Sequence, residues 1–221
     1  MELAGHFFSA EWMTLYGGLY AFVLYKAARW ADWGRLKESN QFNAFVGCLM
    51  GLAVLWSLRT EVEDGLIWHL SGMVSLTLMF RASLAIIGGS LVLVAMSLLG
   101  LSDWTGFFPT AMIHIVFPAL FASTILALTR CYLPKNYFIY VFVNAFAAAG
   151  TVMILAAWLT VGALVAAAPE AVARLTETYM TILPLLFFPE AVLNGWIMSV
   201  MVGFKPHWVA SFRDEEYLDG K

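Results

Sequence analysis

The sequence predicts an all-α protein, a polytopic membrane helix bundle of about seven transmembrane helices. Three observations carry this. Of 221 residues, 62% are hydrophobic and 12% charged, where a soluble domain would be roughly 45–50% apolar and about 25% charged. Apolar runs recur at the roughly 20 residues that a membrane crossing needs. Lys and Arg divide ten to two between alternate loops, as the preference for cytoplasmic loops requires.

The spans are expected in order at about 11–30, 42–58, 66–80, 83–101, 107–129, 136–166 and 180–203. The apolar stretch from Leu66 to Leu101 is too long for one crossing and is broken only by Arg81. A tight hairpin at "FRASL" accounts for it; one bent helix there would leave six spans. The basic side holds Lys26, Arg29, Arg35, Lys37, Arg81, Arg130, Lys135, Lys205, Arg213 and Lys221, and the other holds Arg59 and Arg174. The amino terminus is then outside and the carboxyl terminus cytoplasmic. Residues 1–221 read as a single integral domain, with 1–10 an outer segment and 204–221 a cytoplasmic tail. The opening residues lack a basic region, so the first apolar segment reads as a retained span rather than a signal peptide.

No P-loop, GxGxxG or GxSxG motif is present, so soluble-type enzyme chemistry is not expected and any driving ATPase must be a partner. Basic residues cluster only beside the membrane, which gives no surface for nucleic acid. Cys48 and Cys131 form no metal motif and no evident disulfide.

Three of the four histidines share the outer side. His6 lies in the amino-terminal segment and His69 opens the third span. His114 sits about 10 Å into the fifth at 1.5 Å per residue. Their imidazoles are expected to converge near one outer cavity, where nickel, cobalt, zinc or copper suits such donors. Met1, through its α-amino group, and Glu2 add candidate ligands. Met73, one turn beyond His69, shares its face.

In the seventh span, "FFPEAVLNGW" sets Glu190 in an apolar segment, with Asn194 one turn on. Such residues are costly in a membrane and face the protein interior. Glu190 either ties helices together or forms part of an ion pathway. Asn144 is a second buried amide, with helix packing the favoured role.

These features together resemble the CbiM-type permeases, the substrate-specific membrane subunits of energy-coupling-factor importers for cobalt and nickel. The resemblance rests on "His-Leu-x-Gly" at His69 to Gly72, on "P-x-N-x-F-x-Y-x-F-V-N-A-F" from Pro134 to Phe146, and on "F-P-E-x-x-L-N-G" from Phe188 to Gly195. It is closest to a proteobacterial subgroup, which the ending "KPHWVASFRDEEYLDGK" also resembles. It implies a multi-pass protein of the bacterial inner membrane, in contact with membrane lipid. Its substrate would be a divalent transition metal, cobalt or nickel, with no permanently bound cofactor. Its partners would be a transmembrane coupling subunit and cytoplasmic ATPases. In that family the metal is held by the terminal amine, by a histidine at position two and by a histidine of the third span. This carries over to Met1 and His69, whereas position two here is Glu2 and His6 stands where the family has a glycine. That departure keeps a second function open, a structural or assembly subunit of a larger membrane complex.

Overall fold

The computed structural model describes residues 2–63 and 66–217, with side chains left undescribed at 62, 63, 66, 170–184 and 216. The chain is a helical bundle with one small sheet. Strand β1 (Glu2–Leu3) precedes helices α1 (Ala10–Trp30) and α2 (Ser39–Ser57). Strands β2 (Arg59–Glu63) and β3 (Leu66–His69) follow, then α3 (Met73–Leu98). Helices α4 (Trp104–Tyr132) and α5 (Tyr137–Ala167) come next. The chain ends with α6 (Pro169–Phe204) and a short α7 (Asp214–Tyr217).

Among the described residues, four helices have the length and hydropathy of membrane spans: α3, α4, α5 and the Leu185–Phe204 part of α6. Large apolar side chains such as Leu15, Phe22, Met50, Leu120, Phe142 and Trp196 are exposed around the bundle. A soluble protein would hide them, and a lipid-facing surface needs them.

Helix α3 is not one straight rod. Arg81 takes φ 66 and ψ 162, a non-helical conformation inside it. The limbs on either side lie against each other: a Cβ on Gly89 would stand 3.0 Å from the Met73 sulfur. In a straight helix residues so far apart in sequence would be about 24 Å apart. The hairpin expected at "FRASL" is therefore present. Its first limb, Met73–Phe80, is only about 12 Å long, well short of the roughly 30 Å hydrocarbon core.

One span boundary needs correction. The third was expected to begin at 66, but Leu66–His69 is a strand and the helix starts at Met73. The apolar run "LIWH" satisfies its backbone in a three-stranded antiparallel sheet of order β1-β3-β2, with Glu2 opposite Ile67 and Arg59 opposite His69. Short apolar runs do not distinguish a buried strand from a helix by periodicity. The seventh span, expected at about 180–203, lies in α6, which starts at Pro169 and has the hydropathy of a span over Leu185–Phe204 among the described residues.

The bundle has a sheet end and a tail end. At the sheet end Leu3, Phe7 and Phe8 pack with Ile113, Met153 and Leu164 in a compact apolar cluster. At the tail end the Arg35 guanidinium donates to the Trp208 carbonyl at 2.8 Å, and Arg130 donates to the Ser211 carbonyl at 2.6 Å. The backbone N–H groups of Ala210 and Ser211 donate to the carbonyls of Met79 and Leu78, at 2.9 and 3.1 Å. The tail thus caps the last carbonyls of the short limb, which no following turn could satisfy.

Candidate metal centre

The sheet brings together Glu2, from the start of the chain, and His69, from the end of β3. β1 lies beside β3, and the amino-terminal segment is fixed on its other flank by α4. The Leu3 N–H donates to the Thr110 hydroxyl at 3.0 Å, and the Gly5 N–H donates to the Asp103 carboxylate at 3.3 Å. Gly106 makes this docking possible, since a Cβ there would overlap the Leu3 carbonyl oxygen.

Both side chains are buried, Glu2 to 4% and His69 to 2% of their full exposure. Glu2 Oε2 faces the Arg59 guanidinium at 3.5 Å, and Oε1 faces His69 Nε2 at 3.9 Å. Among the described residues Glu2 Oε1 has no hydrogen-bond partner. The opposite ring nitrogen, Nδ1, lies 3.0 Å from the Leu70 carbonyl oxygen. A carbonyl only accepts, so Nδ1 carries the proton and Nε2 is left with its lone pair. Burial holds the His69 imidazole well below its ordinary pKa, and the charge of Arg59 acts in the same direction. The ring is therefore neutral near pH 7, the form that binds metals.

Two acceptors thus face one another across 3.9 Å in a buried place. That gap is too wide for a hydrogen bond. It suits two donors on one ion, since imidazole nitrogen and carboxylate oxygen each sit about 2.0–2.2 Å from a metal such as zinc.

The other candidates fall elsewhere. Met1 lies outside the described residues. His6 is exposed and rests on the Phe7 ring, with centroids 4.0 Å apart. His114 is buried in a π-helical segment, Met112–Val116, where its Nε2 lies 3.2 Å from the Thr160 hydroxyl. Among the described residues no three His, Cys, Asp or Glu side chains form a group able to hold a metal. The structure pairs Glu2 with His69 and sets His6 and His114 apart from them. Asn144 also lies in a π-helical segment, Tyr140–Ala147, and accepts from the Thr129 hydroxyl at 2.6 Å. Hydrogen-bond spacing of this kind is not visible in composition, although π-segments often mark functional or polar positions.

Glu190 is also buried, to 1%. Its carboxylate accepts from the backbone N–H groups of Ser71 and Gly72, at 2.7 and 2.9 Å. Asn194 donates to the same carboxylate at 2.7 Å and accepts from the Ser75 N–H at 2.9 Å. Together they cap the short limb at its amino-terminal end, from a neighbouring helix. Glu190 and His69 are thereby brought to the two sides of one peptide group. The third span begins deeper than its apolar run suggests, so Glu190 binds the backbone two residues beyond His69. Reading the sequence missed Trp56, whose ring lies 5.1 Å from that of His69 and whose Nε1–H donates to the Ser71 carbonyl at 2.9 Å. It also missed Arg59 as a partner of Glu2, for which the signal was a rare basic residue on an otherwise acidic side.

Compared by structure, the chain is similar to a crystal structure of a truncated transition metal transporter, with TM-score 0.75, 16% identity, and coverage of 92% of this chain and 99% of that one. A second crystal structure of a transition metal transporter gives TM-score 0.74, 15% identity, and coverage of 92% and 93%. Compared by sequence with curated proteins, the chain has no significant match. The model of the CbiM family, described as the cobalt uptake substrate-specific transmembrane region, matches residues 3–208. With that match spanning nearly the whole chain, the protein belongs to the CbiM family.

Proposed function

We propose that this chain binds its metal cargo at the sheet end, between Glu2 and His69, with the amino group of Met1 completing the ligand set. Family membership makes the chain a membrane permease subunit for metal uptake and not an enzyme. The cargo in this reading is a divalent transition metal, cobalt or nickel, held as substrate and not as a resident cofactor. The sheet end faces outward and the basic tail end faces the cytoplasm of a bacterial cell, across its inner membrane. A transmembrane coupling subunit and ATPases act from the tail side, since this chain carries no nucleotide motif.

The observation that carries the reading is the buried Glu2 Oε1, without a hydrogen-bond partner among the described residues and 3.9 Å from His69 Nε2. An orphaned carboxylate oxygen is expensive to bury, and a cation coordinated between it and the imidazole would satisfy it. The purified protein, equilibrated with cobalt or nickel and analysed for bound metal, tests it. One tight site is expected, weakened about tenfold or more in His69→Ala and in Glu2→Ala. No bound metal, with no change on either substitution, overturns the reading.

A further inference from the structure

We infer that Glu190 is a positioning residue for His69, acting on the imidazole through the single peptide group that joins Leu70 to Ser71. The inference rests on His69 being a ligand, and adds what orients it.

The carbonyl of that peptide is Leu70 O, which accepts the His69 Nδ1–H at 3.0 Å. Its N–H is Ser71 N, which donates to Glu190 Oε2 at 2.7 Å. One rigid amide plane therefore has the imidazole on one side and the carboxylate on the other. A carboxylate drawing on the amide proton polarises the amide and makes its oxygen a better acceptor, because hydrogen bonds in a chain strengthen one another. A better acceptor holds the imidazole in the tautomer with its proton on Nδ1, so that Nε2 presents its lone pair toward Glu2. Groups that bind the far nitrogen of a ligating histidine in this way fix its orientation and raise its basicity.

The next peptide group, between Ser71 and Gly72, is held as well. Trp56 donates to the Ser71 carbonyl at 2.9 Å, and the Gly72 N–H donates to Glu190 Oε1 at 2.9 Å. Asn194 holds the carboxylate in turn, donating to Oε1 at 2.7 Å while its own carbonyl accepts from Ser75. Glu190 is thus built into the frame behind the histidine.

The test uses the full chain in detergent with ¹⁵N-labelled histidine, read by the tautomer-sensitive ring nitrogen shifts of His69 without metal and by cobalt affinity. The wild-type ring is expected as the Nδ1–H tautomer. Glu190→Ala is expected to mix the tautomers and to weaken cobalt binding about 10- to 100-fold. Glu190→Gln keeps one oxygen acceptor of the same shape and is expected to fall between, and it carries both readouts if the alanine variant does not fold. Tyr140→Phe, which removes a buried hydroxyl at the tail end, is expected to change neither readout. A folded Glu190 variant with wild-type ring shifts and wild-type affinity overturns the inference. If wild type binds no cobalt, the metal reading falls, and the metal-free ring shifts still decide the role of Glu190.

Discussion

Leu3 and Gly106 pass so closely that a side chain on Gly106 would overlap the Leu3 carbonyl oxygen. This contact ties the start of the chain to the start of α4, and so sets where Glu2 stands. Gly106→Ala should force the amino-terminal segment outward while leaving the bundle intact. Helical content and melting are expected to change little. Cobalt affinity is expected to fall about tenfold or more, since a site displaced by about an ångström loses its geometry. A Gly106→Ala protein with unchanged affinity would show that the docked amino terminus is not needed for binding.

Asp103 fastens the same segment. Its carboxylate accepts from the backbone N–H and hydroxyl of Thr105 and from the Gly5 N–H. The Thr105 hydroxyl is the largest cause holding its carboxyl below the ordinary range. A group depressed in the folded state contributes stability above its unfolded pKa and loses it as pH falls through the folded one. The clamp should therefore persist through the neutral range and release only in acid. In ¹H–¹⁵N spectra the Gly5 and Thr105 amides are expected to titrate together with a midpoint below that of an ordinary aspartate. Asp103→Asn should abolish that titration, and a midpoint at or above that of an ordinary aspartate would contradict the assignment.

Arg81 turns the hairpin in a backbone conformation that is open chiefly to glycine. Such a residue costs about 1–3 kcal/mol, whereas glycine costs about 0.5–1 kcal/mol in extra unfolded freedom. The first effect is larger, so Arg81→Gly should stabilise the protein by about 1 kcal/mol. Melting in detergent is expected to rise by about 2–4 °C. A fall in melting temperature would mean that the guanidinium contributes more than the backbone strain costs.

How much of this was readable beforehand depended on which physical signal each part leaves. Long apolar helices announce themselves through hydropathy, and Arg81 announced the hairpin because a lone charge in an apolar run must reach an interface. The strand Leu66–His69 was not readable, because its apolar residues fit a helix equally well and its partners are Glu2, Leu3 and the strand that begins at Arg59. His69 was legible as a site residue and Glu190 as a buried polar group. Their connection was not, because it runs through a backbone amide that no side-chain pattern records. Gly106 was equally silent, since its role is a close approach between distant segments.

The tail end offers a comparison between two substitutions at one contact. Ser211 Oγ donates to the Leu78 carbonyl at 2.7 Å and lies 2.6 Å from the Tyr140 hydroxyl. Its single proton goes to Leu78, so Tyr140 is the donor to Ser211. Ser211→Ala deletes the shared oxygen and leaves the Tyr140 hydroxyl buried without its acceptor, at a cost of about 1–3 kcal/mol. Tyr140→Phe removes the donor and the orphan together, and the Ser211 bond to Leu78 survives, so the loss should be nearer 1 kcal/mol. Thermal unfolding of the two variants in the same detergent is expected to rank Ser211→Ala as the less stable. The double variant should be no worse than Ser211→Ala, because removing the phenol hydroxyl removes the group that Ser211→Ala stranded. Additive losses in the double variant would mean that the two side chains act separately, and that the tail is not latched to the short limb through this shared oxygen.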